Sequence, residues 1–174
     1  YGARDLEKHI KAQMTEPFFP VNFSLLRSKI SFHRLDEKPL EIAGCHVTPL
    51  SLKHPQDVLG FKIEEAGKSV IYSTDTEYTF GENPAGFIEA IRGAQVLLYD
   101  AQYTPEEYEG GRIGWGHSTY EAAADIARRA DVKTLVLFHH EPTHSDDTID
   151  YIEEKARDLF PNTIAAREGT ALDV

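Results

Sequence analysis

Hydrophobic positions change their spacing several times along the chain, and each change marks an element. Leu6, Ile10 and Met14 recur at helical intervals with charges between them, which predicts a helix over Asp5 to Met14, ended by Pro17 and Pro20. Phe18, Phe19, Val21 and Phe23 crowd around those prolines and read as a packed connection. From Lys29 the period becomes two, with Ile30 and Phe32 alternating against Ser31 and His33; it resumes at Ile42 and runs on to Leu50. Both stretches are predicted strands, and His33 and His46 fall on their polar, solvent-facing phase. Phe61 to Ile63 and Ser69 to Tyr72 flank Glu65-Ala66-Gly67-Lys68, a hairpin signal.

Beyond Tyr72 the pattern alternates between helix and strand. Asn83-Pro84 opens a helix carrying Phe87, Ile88 and Ile91, and Val96 to Tyr99 is a short buried strand. Thr104 to Gly116 reads as a charged, glycine-containing loop. Ser118 as N-cap with Glu121 three residues on predicts a capped helix, whose Ala122, Ala123, Ile126, Ala127 and Ala130 form a small-residue face. Val132 to Phe138 is a second buried strand, and Asp146 to Phe160 an amphipathic helix closed by Pro161. Thr163 to Ala166 and Ala171 to Val174 are expected to form a last pair of strands. Strands followed by alternating helices and strands predict an α/β fold with a mixed sheet and covering helices. With no repeat or linker in view, residues 1–174 are expected to form one domain.

Charge and composition narrow the partners. A formal net charge of −11 disfavours a protein that holds nucleic acid by general phosphate attraction. The single cysteine, Cys45, rules out an internal disulfide and cysteine-rich zinc sites. Any metal must then rest on histidine and carboxylate, and a reducing cytoplasm is the expected setting. No apolar run approaches the ~20 residues of a membrane span. The chain opens on Tyr1-Gly2-Ala3-Arg4, without an initiating methionine, so it is expected to be the later part of a larger protein.

Candidate chemistry gathers at the ends of the predicted strands. The apolar run Leu135 to Phe138 stops in His139-His140-Glu141-Pro142-Thr143-His144, and the runs before it stop in His54, Asp75 and Asp100; His117 sits at a helix start. Taken singly, each has an ordinary explanation as a turn former, cap or surface residue. Repeated at the same kind of position, they would line one edge of a sheet, where open α/β folds place their sites. Imidazole and carboxylate together suit zinc, manganese or iron. His140, one residue out of phase with His139, should point elsewhere and serve structure; His144 reads as support.

Five stretches in order carry a resemblance. Leu52-Lys53-His54-Pro55 with Leu59-Gly60-Phe61, Tyr72-Ser73-Thr74-Asp75-Thr76, Tyr99-Asp100-Ala101, Gly116-His117-Ser118-Thr119 and Phe138-His139-His140-Glu141-Pro142 resemble successive motifs of the metallo-β-lactamase fold. The branch they resemble is that of the tRNA 3′-processing endonucleases and related cyclic phosphodiesterases. The resemblance implies an αββα sandwich, here its later part. His54, Asp75 and His139 would be metal ligands, Asp75 bridging two ions. His117 would protonate the leaving oxygen with help from Asp100, and Zn2+ or Mn2+ in a two-metal site would activate a hydroxide. The family's His-x-His-x-Asp-His signature does not occur in these residues. The chain by itself is therefore expected to bind metal weakly and hydrolyse little.

The expected function is a metal-dependent hydrolase acting on a small or cyclic phosphodiester. The acidic charge makes RNA the less favoured substrate, although RNA processing stays open, and a homodimer is compatible with the sequence. Two other readings compete. One is a non-catalytic or regulatory module of the same fold; the other is an iron-binding redox member, which would need carboxylate ligands upstream.

Overall fold

The computed structural model describes residues 1–3, 5–35 and 39–174. They form two compact units, Tyr1–Lys38 and Pro39–Val174.

In the first unit, α1 (Leu6–Gln13) occupies the stretch whose spacing predicted it, and Lys11 pairs with Glu7 one turn away. Two expectations fail here. The alternating residues 29–33 form no strand, because alternation supplies a face but not a partner edge for the backbone; among the described residues of this unit the strand-like pairing is a bridge between Gly2 and Arg34. Phe18 is 83% exposed, with Phe19 and Val21 also open to solvent, so the proline-rich segment is not a packed connection.

The second unit is built on a seven-stranded mixed sheet: β1 (Leu40–Ile42), β2 (Cys45–Ser51), β3 (Leu59–Glu65), β4 (Lys68–Ser73), β5 (Val96–Asp100), β6 (Thr134–Phe138) and β7 (Thr163–Ala165), side by side in chain order. Neighbours from β1 to β4 are antiparallel, and those from β4 to β7 are parallel. The parallel connections run through α2 (Ala85–Ile91), then α3 (Pro105–Glu109) and α4 (Tyr120–Arg129), then α5 (Asp146–Leu159). Register explains the core. Ile71, Leu97 and Leu135 stand in one cross-strand row and Tyr99 and Leu137 in the next, all fully buried. Against them pack Phe87, Ile88 and Ile91 of α2, Ala123, Ala124, Ile126 and Ala127 of α4, and Ile152 and Ala156 of α5. The alanine run lets α4 lie close to β5 and β6, as its small-residue face predicted.

Some boundaries differ from the sequence reading. Thr119, not Ser118, caps α4, its hydroxyl accepting from the Ala122 amide at 3.2 Å, because the Ser118 hydroxyl turns inward and donates to the Thr76 carbonyl at 2.6 Å. The capping box lies instead on α3, between Thr104 and Glu107. Residues 171–174 form no strand, and β7 pairs with β6 alone. β2 stops at Ser51, three residues before His54, which sits in the loop to β3.

This topology positions the site. β2 runs the same way as β4, β5 and β6, so the loop 52–58 and the carboxyl ends of those three strands share one edge of the sheet. No helix of the described residues is long and apolar enough to cross a membrane.

Candidate metal centre

Asp75 lies two residues beyond β4, Asp100 is the last residue of β5, and His139 follows β6 directly. Asp75 and His139 share a backbone feature the sequence did not announce: both have positive φ, 58° and 60°. A left-handed residue at a strand end costs of order 1–3 kcal/mol and persists only where its surroundings enforce it, although Asp and His tolerate it better than most. The reversal brings the two side chains toward each other, with His139 Nε2 3.8 Å from Asp75 Oδ1.

His54 arrives from the β2–β3 loop and His117 from the segment before α4. The His117 ring stacks on His139 with centroids 4.9 Å apart and meets the His54 ring edge-on at 5.9 Å. Donor atoms of His54, Asp75 and His117 all lie within 4.8 Å of one another, as do those of Asp100, His117 and His139. All five residues singled out from the sequence therefore meet at one place.

Asp100 plays a different part from the others. Fully buried, it accepts five hydrogen bonds. Oδ2 takes the amides of Asp75 (2.9 Å) and Thr76 (3.4 Å) and His117 Nδ1 (2.9 Å); Oδ1 takes the amides of Ser118 (3.1 Å) and Gln102 (3.3 Å). An ionised carboxylate can only accept, so His117 Nδ1 carries its hydrogen and Nε2 is left to face the site. Burial pulls His117 toward neutrality, but the Asp100 hydrogen bond and charge outweigh it and hold the imidazole above its usual value.

Residues that the sequence reading passed over hold the loops in register. Glu77 is 7% exposed and accepts hydrogen bonds from the Gly114 amide (2.6 Å), the Gly116 amide (2.8 Å) and the Tyr108 hydroxyl (2.7 Å). Its own amide donates to the Lys53 carbonyl at 2.7 Å. One residue thus ties together the loops that carry His54, Asp75 and His117. Burial disfavours the Glu77 carboxylate, but the Gly114, Tyr108 and Gly116 donors, with Lys53 nearby, overcome this and hold its pKa below the ordinary glutamate value. Glu77→Gln is expected to destabilise the protein by about 1–3 kcal/mol, since one amide oxygen cannot serve three donors. Urea unfolding of the intact protein measures it, and an unchanged midpoint would show that the loop does not depend on this carboxylate.

Gly116 is the second such residue. With φ +95°, it packs so closely on His54 that an added Cβ would lie 2.1 Å from the ring Cδ2. His140 and His144 lie on the segment that follows β6. Burial, partly offset by the Ala166 backbone, holds His140 below the usual imidazole value. His144 Nε2 meets Glu107 Oε1 at 2.8 Å, joining the segment after β6 to α3.

A divalent cation fits this donor set. The donor atoms that lie together, those of His54, Asp75 and His117 and those of Asp100, His117 and His139, are imidazoles and carboxylates, the ligand chemistry of zinc and manganese sites. Asp100, with its oxygens already taken by five donors, is a poor ligand, and the proton on His117 Nδ1 is fixed by it. One contact must yield on binding: the Gln56 amide donates to His54 Nδ1 at 3.2 Å, which Nε2 ligation would turn into two opposed N–H groups.

Comparison with known proteins agrees with the fold. Ribonuclease Z of Archaeoglobus fulgidus is 38% identical over 120 residues, covering 69% of this chain and 36% of that protein; Ribonuclease Z of Gemmatimonas aurantiaca is 37% identical over 109 residues, covering 62% and 32%. The chain thus spans about a third of the length of the curated relatives it matches. The crystal structure of the metallo-β-lactamase fold protein YhfI from Bacillus subtilis superposes with a TM-score of 0.68 at 18% identity, covering 97% of this chain and 61% of that one. Residues 1–140 match the family model described as the beta-lactamase superfamily domain. The mixed seven-stranded sheet, the edge on which its histidines and aspartates meet and this match together place the chain in the beta-lactamase superfamily, with the metallo-β-lactamase type of α/β fold.

Proposed function

We propose that the chain supplies part of the active centre of a metal-dependent phosphodiesterase. His54, Asp75 and His139 would hold the metal, Zn2+ or Mn2+, and His117 with Asp100 would move the proton. The carrying observation is the His117–Asp100 pair at 2.9 Å, set beside His139 and Asp75. Asp100 fixes the ring orientation and the Nδ1 hydrogen, so Nε2 is the atom that delivers a proton to a leaving oxygen. A bound divalent ion supplies Lewis-acid polarisation of a phosphoryl oxygen. His54 and His139 flank the His117 ring, which confines the leaving group to one side.

Two substrate readings each have support. Identity of 38% to a Ribonuclease Z favours an RNA phosphodiester. The net charge of −11 favours a small or cyclic one, because a long polyanion would meet repulsion away from the metal. Assays of the intact protein with a 3′-extended RNA and with a 2′,3′-cyclic nucleotide separate them. His117→Ala is expected to lower kcat on either substrate by about 100-fold or more with metal content unchanged. An unaltered kcat would remove His117 from the reaction.

A further inference from the structure

The segment between Tyr103 and Gly116 holds an arrangement that neither metal binding nor proton transfer uses. Trp115 is 56% exposed, yet it stands between two residues whose amides are both fixed by the buried Glu77 carboxylate. A large indole on so firmly held a backbone offers a fixed surface for stacking. Over its ring lies the Arg112 guanidinium, 4.5 Å from the centroid, and the same guanidinium lies 5.9 Å from the Tyr103 centroid. Arg112 thus lies close over Trp115 and farther from Tyr103. Beside it opens a cavity of about 200 Å3, lined also by Glu107, Glu141 and Thr143. The buried Tyr103 ring forms one wall of that cavity and meets the His117 ring edge-on at 6.1 Å.

We propose that this cavity is a nucleobase subsite of the phosphodiester substrate, and that it selects bases bearing an exocyclic amino group. The proposal rests on the phosphodiesterase reading and adds a specificity determinant to it. The planar guanidinium of Arg112, backed by Trp115, offers a stacking surface of the kind proteins use for unpaired bases. Glu107 already accepts from the Thr104 amide and faces His144, whereas Glu141 accepts from the Thr143 hydroxyl through Oε1 at 3.3 Å and offers Oε2 to an incoming donor. A carboxylate at that position favours the amino group of cytosine or adenine and repels the carbonyl of uracil. Because Tyr103 separates the cavity from His117 by one ring, a base seated there places its attached phosphodiester at the reacting end of the site.

Trp115 is the single tryptophan of these 174 residues, so the part of the emission change that a Trp115→Phe variant of the intact protein loses reports on this cavity. Titrating the intact protein with CMP is expected to change that emission saturably. UMP is expected to bind about tenfold more weakly, the discrimination of one hydrogen bond to a charged acceptor, and inorganic phosphate to leave the emission unmoved. Glu141→Ala should level CMP and UMP. Arg112→Ala should weaken both at least tenfold, with circular dichroism unchanged, and Arg112→Lys should restore little, since an ammonium cannot stack as a plane. Equal responses to CMP and inorganic phosphate, no saturable response, or unaltered CMP binding by Arg112→Ala would each overturn the subsite. Hydrolysis of bis(p-nitrophenyl) phosphate by the same preparation tests the phosphodiesterase reading separately. CMP binding without hydrolysis would sink that reading and uphold the subsite; hydrolysis without CMP binding would do the reverse.

Discussion

Asp100→Ala in the intact protein is expected to cost about 3–5 kcal/mol of stability, the range for removing one partner from a buried charged network. Asp100 is fully buried, and its two oxygens accept from four backbone amides and from His117. Deleting the carboxylate leaves these donors facing a void with no acceptor. The same change frees the His117 ring from its fixed tautomer, so activity should fall even under conditions where the variant is folded. Asp100→Asn separates the two effects. Its side chain fills the space but turns an N–H group toward donors, so it is expected to keep more stability than alanine while losing most of the proton-transfer rate. Urea unfolding together with kcat measures both. A variant with wild-type stability and wild-type kcat would show that the network has no bearing on either.

Gly116→Ala is expected to act the other way round, with a modest loss of stability and a severe loss at the metal centre. The added methyl would fall 2.1 Å from His54 Cδ2, 2.4 Å from Nε2 and 2.9 Å from Pro55 Cδ, on a backbone at φ +95°. The backbone strain is worth about 1–2 kcal/mol, well within what a domain tolerates. The imidazole, at the end of its side chain in a loop, is what must move. Metal occupancy should therefore drop while the unfolding midpoint shifts little. Full metal occupancy in Gly116→Ala would show that His54 does not need the position observed here.

How far these residues could be read from the sequence depends on where their partners lie. Strand ends carry their own signal: an apolar run stopping at Asp75, Asp100 or His139 is visible locally, and the parallel order of β4, β5 and β6 then gathers the three. His54 was visible for its residue type, but its strand stops three residues earlier at Ser51, a boundary that Pro55 alone does not define. Glu77 could not be found this way. Its partners are backbone amides 37 and 39 residues further on, which have no side-chain identity to match. Gly116 was visible as the first residue of the Gly116-His117-Ser118-Thr119 motif, but its close approach to the His54 ring, from the distant β2–β3 loop, was not. Ser118 was placed correctly at a helix start but in the wrong role, since a hydroxyl there can cap its own helix or reach another segment, and the Thr76 carbonyl decides which. In the first unit, the alternation of residues 29–33 predicted strand without the long-range pairing that a strand requires.

We propose that His54, Asp75 and His139 form one metal centre. It is tested most directly by the metal content of the intact protein, measured by elemental mass spectrometry on the wild type and on His54→Ala, Asp75→Ala, His139→Ala and His117→Ala. The arrangement predicts bound zinc or manganese in the wild type, a marked loss in each of the first three variants with Asp75→Ala the most depleted, and retention in His117→Ala. Metal content unchanged across His54→Ala, Asp75→Ala and His139→Ala would contradict it.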